Sequence, residues 1–273
     1  MKILIYMDSE KYHHSPVLMG KIIAKATGGE INVLVVVPKG GHLENGEAAG
    51  EQVRLDLEGC FPKVFIKQGK AKEIIREELD RETYQLVIAD TDRINRLKKS
   101  IEVDPVLIKQ SAISLLLTQQ TKPKINKILL CTACKEDDYS LIIQASGLAV
   151  DLGAAVTLLH VFPGAVPSMY TGLEQIEETV DEMLQTDTPF AQYLRRGVEI
   201  LNENNIESKV KIRRGIPIEE IVRETQVENY DLGIIGSSMV DQGWMEMLLG
   251  NLAVRIINRL ELPVLVIGTR SLA

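Results

Sequence analysis

The chain has little cysteine, few aromatic residues and no long apolar run. Its 273 residues include three cysteines and one tryptophan, and aromatic residues make up only 4%. A small, odd number of cysteines predicts no disulfide framework and indicates a reducing compartment. No apolar stretch reaches the ~18 residues that a membrane span needs, and the start MKILIYMDSE is interrupted too early for a signal peptide. We therefore expect a soluble cytoplasmic protein.

Basic side chains are also in the minority. The formal net charge is -7 and the pI is near 5.3, which argues against nucleic acid or anionic membrane as a partner. With 45% hydrophobic and 25% charged residues, the chain can bury a sizeable core. A length of 273 residues predicts about two domains.

The sequence carries the same pattern twice. KILIYMD at positions 2–8 opens the first half, and KILLCTA at positions 127–133 opens the second. Each half later has a strand-like run led by a tyrosine, Tyr84 or Tyr230. A repeat of this length predicts a duplicated domain. We place the boundary at Pro123, giving domains 1–123 and 124–273.

Both halves alternate strand-like and helix-like stretches, and their strands are apolar without alternation. This pattern predicts an α/β fold of two tandem doubly wound Rossmann-like units, each a five-stranded parallel sheet with helices on both faces. The second half inserts residues 164–205, with helices expected over 173–184 and 190–201. The glycine-rich segment 39–59 of the first half predicts a mobile surface loop with one helix around 47–57.

The last strand of each half, 113–117 and 262–267, should lie at a sheet edge. An apolar edge strand needs a partner. We expect these two strands to pair with each other within one chain, which would give a pseudo-twofold monomer. Further homodimerisation stays open.

The cysteines and histidines of the sequence do not form a recognisable catalytic motif. Cys131 and Cys134 form a C-x-x-C on a predicted strand, where residues three apart point to opposite faces, so we interpret them as a core residue and a strand-end residue. His13 and His14 precede a helix in a polar loop and are predicted to be solvated, and His160 is predicted to be a core histidine. Without a Walker loop, a G-x-S-x-G elbow or a zinc signature, we expect no catalytic residue and no metal site.

Ligands of open parallel sheets bind beyond the carboxyl ends of the strands, where the strand order reverses. In the second half, Gly236, Ser237 and Ser238 end the fourth strand and offer close backbone approach and hydroxyl groups. Gly250 and Asn251 then open a helix, and the N–H groups of a helix N-terminus suit an anion.

The segment from Gly236 to Asn251 resembles the phosphate loop of the universal stress protein family, G-x2-G-x9-G-[ST]. The resemblance to the family covers nearly all of both halves. Gly236 and Gly250 match the first and last glycines, whereas Met239 replaces the second glycine, Asn251 replaces Ser/Thr, and the interval is one residue longer. The resemblance implies an adenine-nucleotide site and leaves ATP with Mg²⁺ open as its ligand. Its positions would be Gly236, Ser237, Ser238, Gly250, Asn251, Leu252, Val161 and Ala133.

The first half resembles a vestigial copy of that site. The family places an aspartate at the end of the first strand, which the first half keeps as Asp8 and the second half replaces with Ala133. The vestigial positions are Asp8, Ser9, Val36 and Asp90. Asp90 and Asp92 stand close in sequence to Arg93 and Arg96, which favours surface ion pairs over a metal site.

Neither half carries the complete set of family residues. We therefore expect a tandem universal stress protein that acts in stress response or regulation without catalysis, through protein partners that the sequence does not identify. At most it has a degenerate adenine-nucleotide site in the second half. The alternative is an ATP-binding member of the family with weak hydrolysis or nucleotide-sensing activity.

Overall fold

The computed structural model describes residues 1–90, 113–134, 138–162, 180–236 and 252–268. They divide into two compact units, of which the first comprises Met1–Lys124 together with Glu261–Gly268, and the second comprises Ile125–Leu260. The chain thus passes from one unit to the next just after the predicted seam at Pro123, and its last strand returns to the first unit.

The first unit is an α/β layer built on a six-stranded sheet. The strand order is β3-β2-β1-β4-β5-β10, with β1 to β5 parallel and β10 antiparallel to β5. Its elements are β1 (Lys2–Asp8), α1 (His14–Thr27), β2 (Glu30–Val37), α2 (Leu43–Asp56), β3 (Lys63–Gln68), α3 (Ala71–Arg81), β4 (Leu86–Asp90), β5 (Ser114–Thr118) and β10 (Val264–Ile267).

The second unit repeats the strand order of the first. Its four parallel strands are arranged β9-β6-β7-β8, which matches β4-β1-β2-β3. Its elements are β6 (Lys127–Thr132), α4 (Asp138–Leu152), β7 (Ala155–Phe162), α5 (Val180–Gln185), α6 (Pro189–Glu203), β8 (Ser208–Arg214), α7 (Pro217–Val227), β9 (Leu232–Gly236) and α8 (Leu252–Arg259).

The predicted α/β fold is confirmed. Ile3, Leu4 and Ile5 are consecutive in β1 and all fully buried, because both faces of a parallel sheet are covered. Helices α1 and α4 stop at Gly28 and Gly153, which adopt positive φ as expected for helix C-caps. Of the two helices predicted in the insertion, α6 is confirmed, and α5 matches the end of the other, whose residues 173–179 lie outside the described residues. No helix in the described ranges is long and apolar enough to cross a membrane.

The pairing of the two terminal strands is also confirmed. β5 and β10 run antiparallel, and Leu116 stands opposite Leu265. The register places Val264 against Leu117 and Val266 against Leu115. An edge that would otherwise expose unpaired backbone groups is thereby covered by the chain itself.

The helix predicted around 47–57 is confirmed as α2, which begins earlier, at Leu43, so the predicted mobile loop is wrong for residues 43–46. Gly46 and Gly50 lie within this helix and are buried. A Cβ on Gly46 would come within 2.6 Å of Val37 Cγ2 and 2.8 Å of Ile66 Cγ2. These glycines therefore let α2 pack closely against β2 and β3, and do not mark a loop.

Each unit buries a glutamate beside the tyrosine that leads its fourth strand. Glu78 in α3 and Glu224 in α7 are both 0% exposed. Tyr84 Oη donates to Glu78 Oε1 and Tyr230 Oη donates to Glu224 Oε1, each at 2.8 Å. The two halves thus share a buried polar pair as well as a strand order. Sequence reasoning found the tyrosines but missed the glutamates.

Candidate functional site

The candidate site of each unit is the rim formed by the carboxyl ends of its two central strands. In the first unit Ile5 pairs with Ile88, and in the second Leu130 pairs with Ile234. Counting from these pairs, Ala133 and Gly236 of the second unit take the positions of Asp8 and Asp90 in the first. The same edge of the sheet is therefore lined by two carboxylates in one unit and by none at these positions in the other.

The second unit places three of its predicted site residues on neighbouring strands. Ala133 follows β6, Val161 lies near the end of the adjacent β7, and Gly236 is the last residue of the adjacent β9. Leu252 is the first residue of α8, where the predicted phosphate-binding helix should begin. Ser237, Ser238, Gly250 and Asn251 lie outside the described residues.

An aromatic cluster beside this rim was not predicted. His160 is buried, and its Nδ1 lies 2.9 Å from the carbonyl oxygen of Thr132, which confirms the core histidine. Phe162 packs edge-on against both His160 and Phe190, and Tyr193 Oη lies 3.1 Å from Thr132 Oγ1. Phe190 and Tyr193 come from α6, so the inserted helix covers the ends of β6 and β7 with aromatic side chains. The insertion was visible in the sequence, but the contact was not.

The C-x-x-C pair is confirmed as structural. Cys131 is buried, and burial raises the pKa of its thiol to about 12, which suppresses thiolate chemistry. Cys134 follows the strand at a φ of 52°, with its N–H bonded to Thr132 Oγ1. Within the described part of the chain, no group of three or more His, Cys, Asp or Glu side chains could hold a metal ion.

The first unit brings its predicted vestigial residues together. Asp8 ends β1 opposite Val36 on β2. The N–H of Ser9 donates to the carbonyl of Val36 at 3.0 Å, and the N–H of Glu10 donates to Asp8 Oδ1 at 2.8 Å. The chain leaving β1 is thereby held against the strand ends.

His13 corrects the prediction that both adjacent histidines are solvated. Its side chain is only 15% exposed, and its Nδ1 lies 3.1 Å from Asp90 Oδ2 at the end of β4. His14, 74% exposed, is solvated as predicted. The difference arises because His13 is the N-cap residue of α1, and tertiary packing directs it across the rim. The predicted partners Arg93 and Arg96, like Asp92, lie outside the described residues.

A small cleft opens beside this pair. It is lined by Tyr6, Met7, Asp8, Lys11, His13 and Asp90, among others. Three of these side chains carry acidic or imidazole groups and one is a lysine. The rim of the first unit therefore carries charges of both signs, and Asp90 is held by His13.

A comparison with known protein families identifies the second half of the chain. The model of the universal stress protein family matches residues 124–268. The chain belongs to the universal stress protein family. No curated protein matches it.

Solved structures of similar length share the fold. A universal stress protein from Archaeoglobus fulgidus is 16% identical, with a TM-score of 0.63 over 98% of this chain and 97% of its own. A functionally unknown protein from Pseudomonas aeruginosa is 20% identical, with a TM-score of 0.66 over 97% of this chain and 92% of its own. This universal stress protein therefore has the architecture of relatives that match it over nearly their whole length.

Proposed function

We propose that this universal stress protein is a non-enzymatic stress-response regulator whose second unit binds an adenine nucleotide weakly. The observation that carries the proposal is the difference between the two rims. Gly236 ends the fourth strand of the second unit where Asp90 stands in the first. In this proposal the protein acts on protein partners and not through catalysis.

Electrostatics favours the second unit as the nucleotide site. A carboxylate about 4 Å from a phosphate charge costs about 1 kcal/mol in water and about 4 kcal/mol at a typical protein surface. At the end of its fourth strand the first rim carries Asp90, whereas the second has Gly236 and no side chain there. A glycine at the end of β9 also lets a ligand approach the backbone without a Cβ.

Binding is expected to be weak because the loop departs from the family pattern. Met239 brings side-chain bulk where the family has glycine, and Asn251 replaces a hydroxyl residue, although asparagine can still cap a helix. These departures favour a sensor that responds to millimolar nucleotide over a protein that binds nucleotide tightly.

The absence of catalysis is proposed from the state of the reactive side chains near the second rim. His160 is buried and bonded to a backbone carbonyl, so its ring is oriented by the core. Cys131 is buried with a raised pKa. Neither residue is arranged as a general base or a nucleophile toward a ligand at the rim.

The test is ligand-induced stabilisation of matched charge variants. Thermal unfolding is measured with and without ATP and Mg²⁺ for the wild type, Gly236→Asp and Gly236→Asn. A ligand at 100 times its dissociation constant should stabilise the wild type by about 2.7 kcal/mol. Aspartate and asparagine have nearly the same size, so only the charge differs. We expect Gly236→Asp to bind about tenfold more weakly than Gly236→Asn.

Three outcomes decide between the readings. Equal binding by the two variants would show that rim charge does not select the ligand. No stabilisation of the wild type, nor of a Met239→Gly, Asn251→Ser double variant, would remove the nucleotide from the proposal and leave a partner-binding protein. Sustained phosphate release from ATP, absent in Gly236→Asp, would replace the regulator with a weak ATPase.

A further inference from the structure

The segment that follows β1 in the first unit is fastened on two sides. We call residues 9–13 the closing loop. On its outer side Tyr12 Oη donates to Asp56 Oδ2 at 2.6 Å, and His14 Nδ1, just beyond the loop, lies 2.9 Å from the same oxygen. Gln52 Nε2 donates to Asp56 Oδ1 at 2.9 Å. One carboxylate at the end of α2 therefore holds both residues that flank His13.

On its inner side the closing loop is held by His13. The imidazole Nδ1 reaches Asp90 Oδ2 at 3.1 Å, and both side chains are largely buried, with 15% and 11% exposed. His13 lines the same cleft as Tyr6, Met7 and Asp8. Tyr6 and Met7 are themselves buried, so the candidate rim of the first unit is covered by its own chain.

The closed arrangement leaves one hydrogen bond unmade. The Nε2 atom of His13 is buried and has no hydrogen-bond partner among the described residues. A buried polar atom without a partner lowers the stability of the arrangement that encloses it. Opening the loop would let water satisfy Nε2, so opening loses the Asp90 contact but recovers this bond.

We propose that the closing loop is a local closure of the first unit: residues 9–13 cover the cleft through the His13–Asp90 contact and open without unfolding the unit. Local openings of this kind cost less free energy than global unfolding and govern access to buried groups. The closure is a property of the first unit and does not depend on nucleotide binding by the second.

The test is the reactivity of a thiol placed behind the closing loop. Met7→Cys is made with Cys60→Ser and Cys134→Ser, since those two native cysteines are partly exposed whereas Cys131 is buried. Modification by N-ethylmaleimide is then timed under native conditions. Loss of a hydrogen bond that involves a charged group should raise the opening equilibrium about 10- to 100-fold. We expect that increase when Asp90→Ala is added.

Two controls separate local opening from other effects. Asp187→Ala removes a carboxylate that accepts a bond from Gln192 in the second unit, and should leave the rate unchanged. Val33→Cys, in the same cysteine background, reports unfolding of the first unit because Val33 is fully buried in β2. It should stay unreactive with and without Asp90→Ala.

The closure is overturned by any of three results. These are a Met7→Cys thiol that already reacts as fast as a free thiol, an unchanged rate with Asp90→Ala, or a parallel rise at Val33→Cys. If Met7→Cys fails to fold, hydrogen exchange of the amides of residues 9–14 gives the same comparison. Faster exchange confined to those amides in Asp90→Ala supports the closure, and unchanged exchange refutes it.

Discussion

Neutralising Glu224 should destabilise the second unit more than any conservative substitution at its surface. The carboxylate is 0% exposed and accepts four hydrogen bonds. Lys211 Nζ donates at 2.7 Å and Tyr230 Oη at 2.8 Å to one oxygen, while Arg213 donates through Nε at 2.8 Å and through Nη2 to the other. The substitution Glu224→Gln keeps the shape and removes the charge.

The expected loss follows from the burial of the partners. Breaking a fully buried ion pair costs about 3–5 kcal/mol. Lys211 and Arg213 are about a quarter exposed, at 27% and 24%, so water recovers part of that loss. We expect Glu224→Gln to lower the free energy of unfolding by about 3 kcal/mol, and to lower the urea midpoint by about 1–2 M.

The first unit supplies a matched control. Glu78 is equally buried, but its cations are farther away or more exposed, with Lys67 Nζ at 3.4 Å and Arg81 54% exposed. Glu78→Gln should therefore cost about half as much as Glu224→Gln. Urea unfolding followed by circular dichroism measures both.

The pH dependence gives a second check on Glu224. Burial raises the pKa of its carboxyl, but the hydrogen bonds from Lys211, Arg213 and Tyr230 outweigh burial and hold the pKa below its ordinary value of 4.5. A lowered pKa in the folded state means that the charged form stabilises the fold above pH 4.5, and that this contribution is lost as the pH falls through the lowered value.

The difference between wild type and Glu224→Gln should accordingly be full at pH 7 and shrink at acid pH. Equal stability of the two proteins at pH 7 would refute the reasoning. A difference that stays constant down to pH 3 would show that the loss came from packing and not from the charge.

Two further predictions concern backbone packing. Cysteines at the positions of Leu116 and Leu265 would stand directly opposite each other in the antiparallel β5–β10 pair, at a separation that a disulfide can bridge. Oxidation should give a monomer that migrates faster on a non-reducing gel. Purely intermolecular products would contradict the pairing. Gly46→Ala should destabilise by about 1–3 kcal/mol because its Cβ would meet two strand methyl groups. Gly147→Ala, in α4 with no heavy atom within 4 Å of its Cβ, should stabilise by about 0.5–1 kcal/mol. If urea unfolding gave the two substitutions changes in stability of the same sign, this account of the packing would be contradicted.

The fold was largely predictable because its signals are local. Unbroken apolar runs predict buried parallel strands, and the glycines at 28 and 153 predict where α1 and α4 end. The pairing of β5 with β10 followed from the rule that an apolar strand at the edge of a sheet needs a partner. The exception was the start of α2, where the glycine-rich sequence suggested a loop and Gly46 in fact allows close contact with the sheet.

The candidate site was predictable only in outline. The positions of Asp8, Ala133, Asp90 and Gly236 at the ends of the central strands followed from strand order. The contact between His13 and Asp90 did not, because 77 positions separate them in the sequence and no local pattern distinguishes His13 from its solvated neighbour.

The sequence by itself determined an α/β chain with a repeated pattern, and it predicted the strand ends at which ligands would meet the sheet. These depend on residue type and spacing along the chain. Only the tertiary structure decided that His13 covers the first rim, that α6 places aromatic side chains beside the second, and that each unit buries a glutamate against cations. Such contacts join residues on different elements, and their energies come from burial and distance, which exist only after the chain has folded.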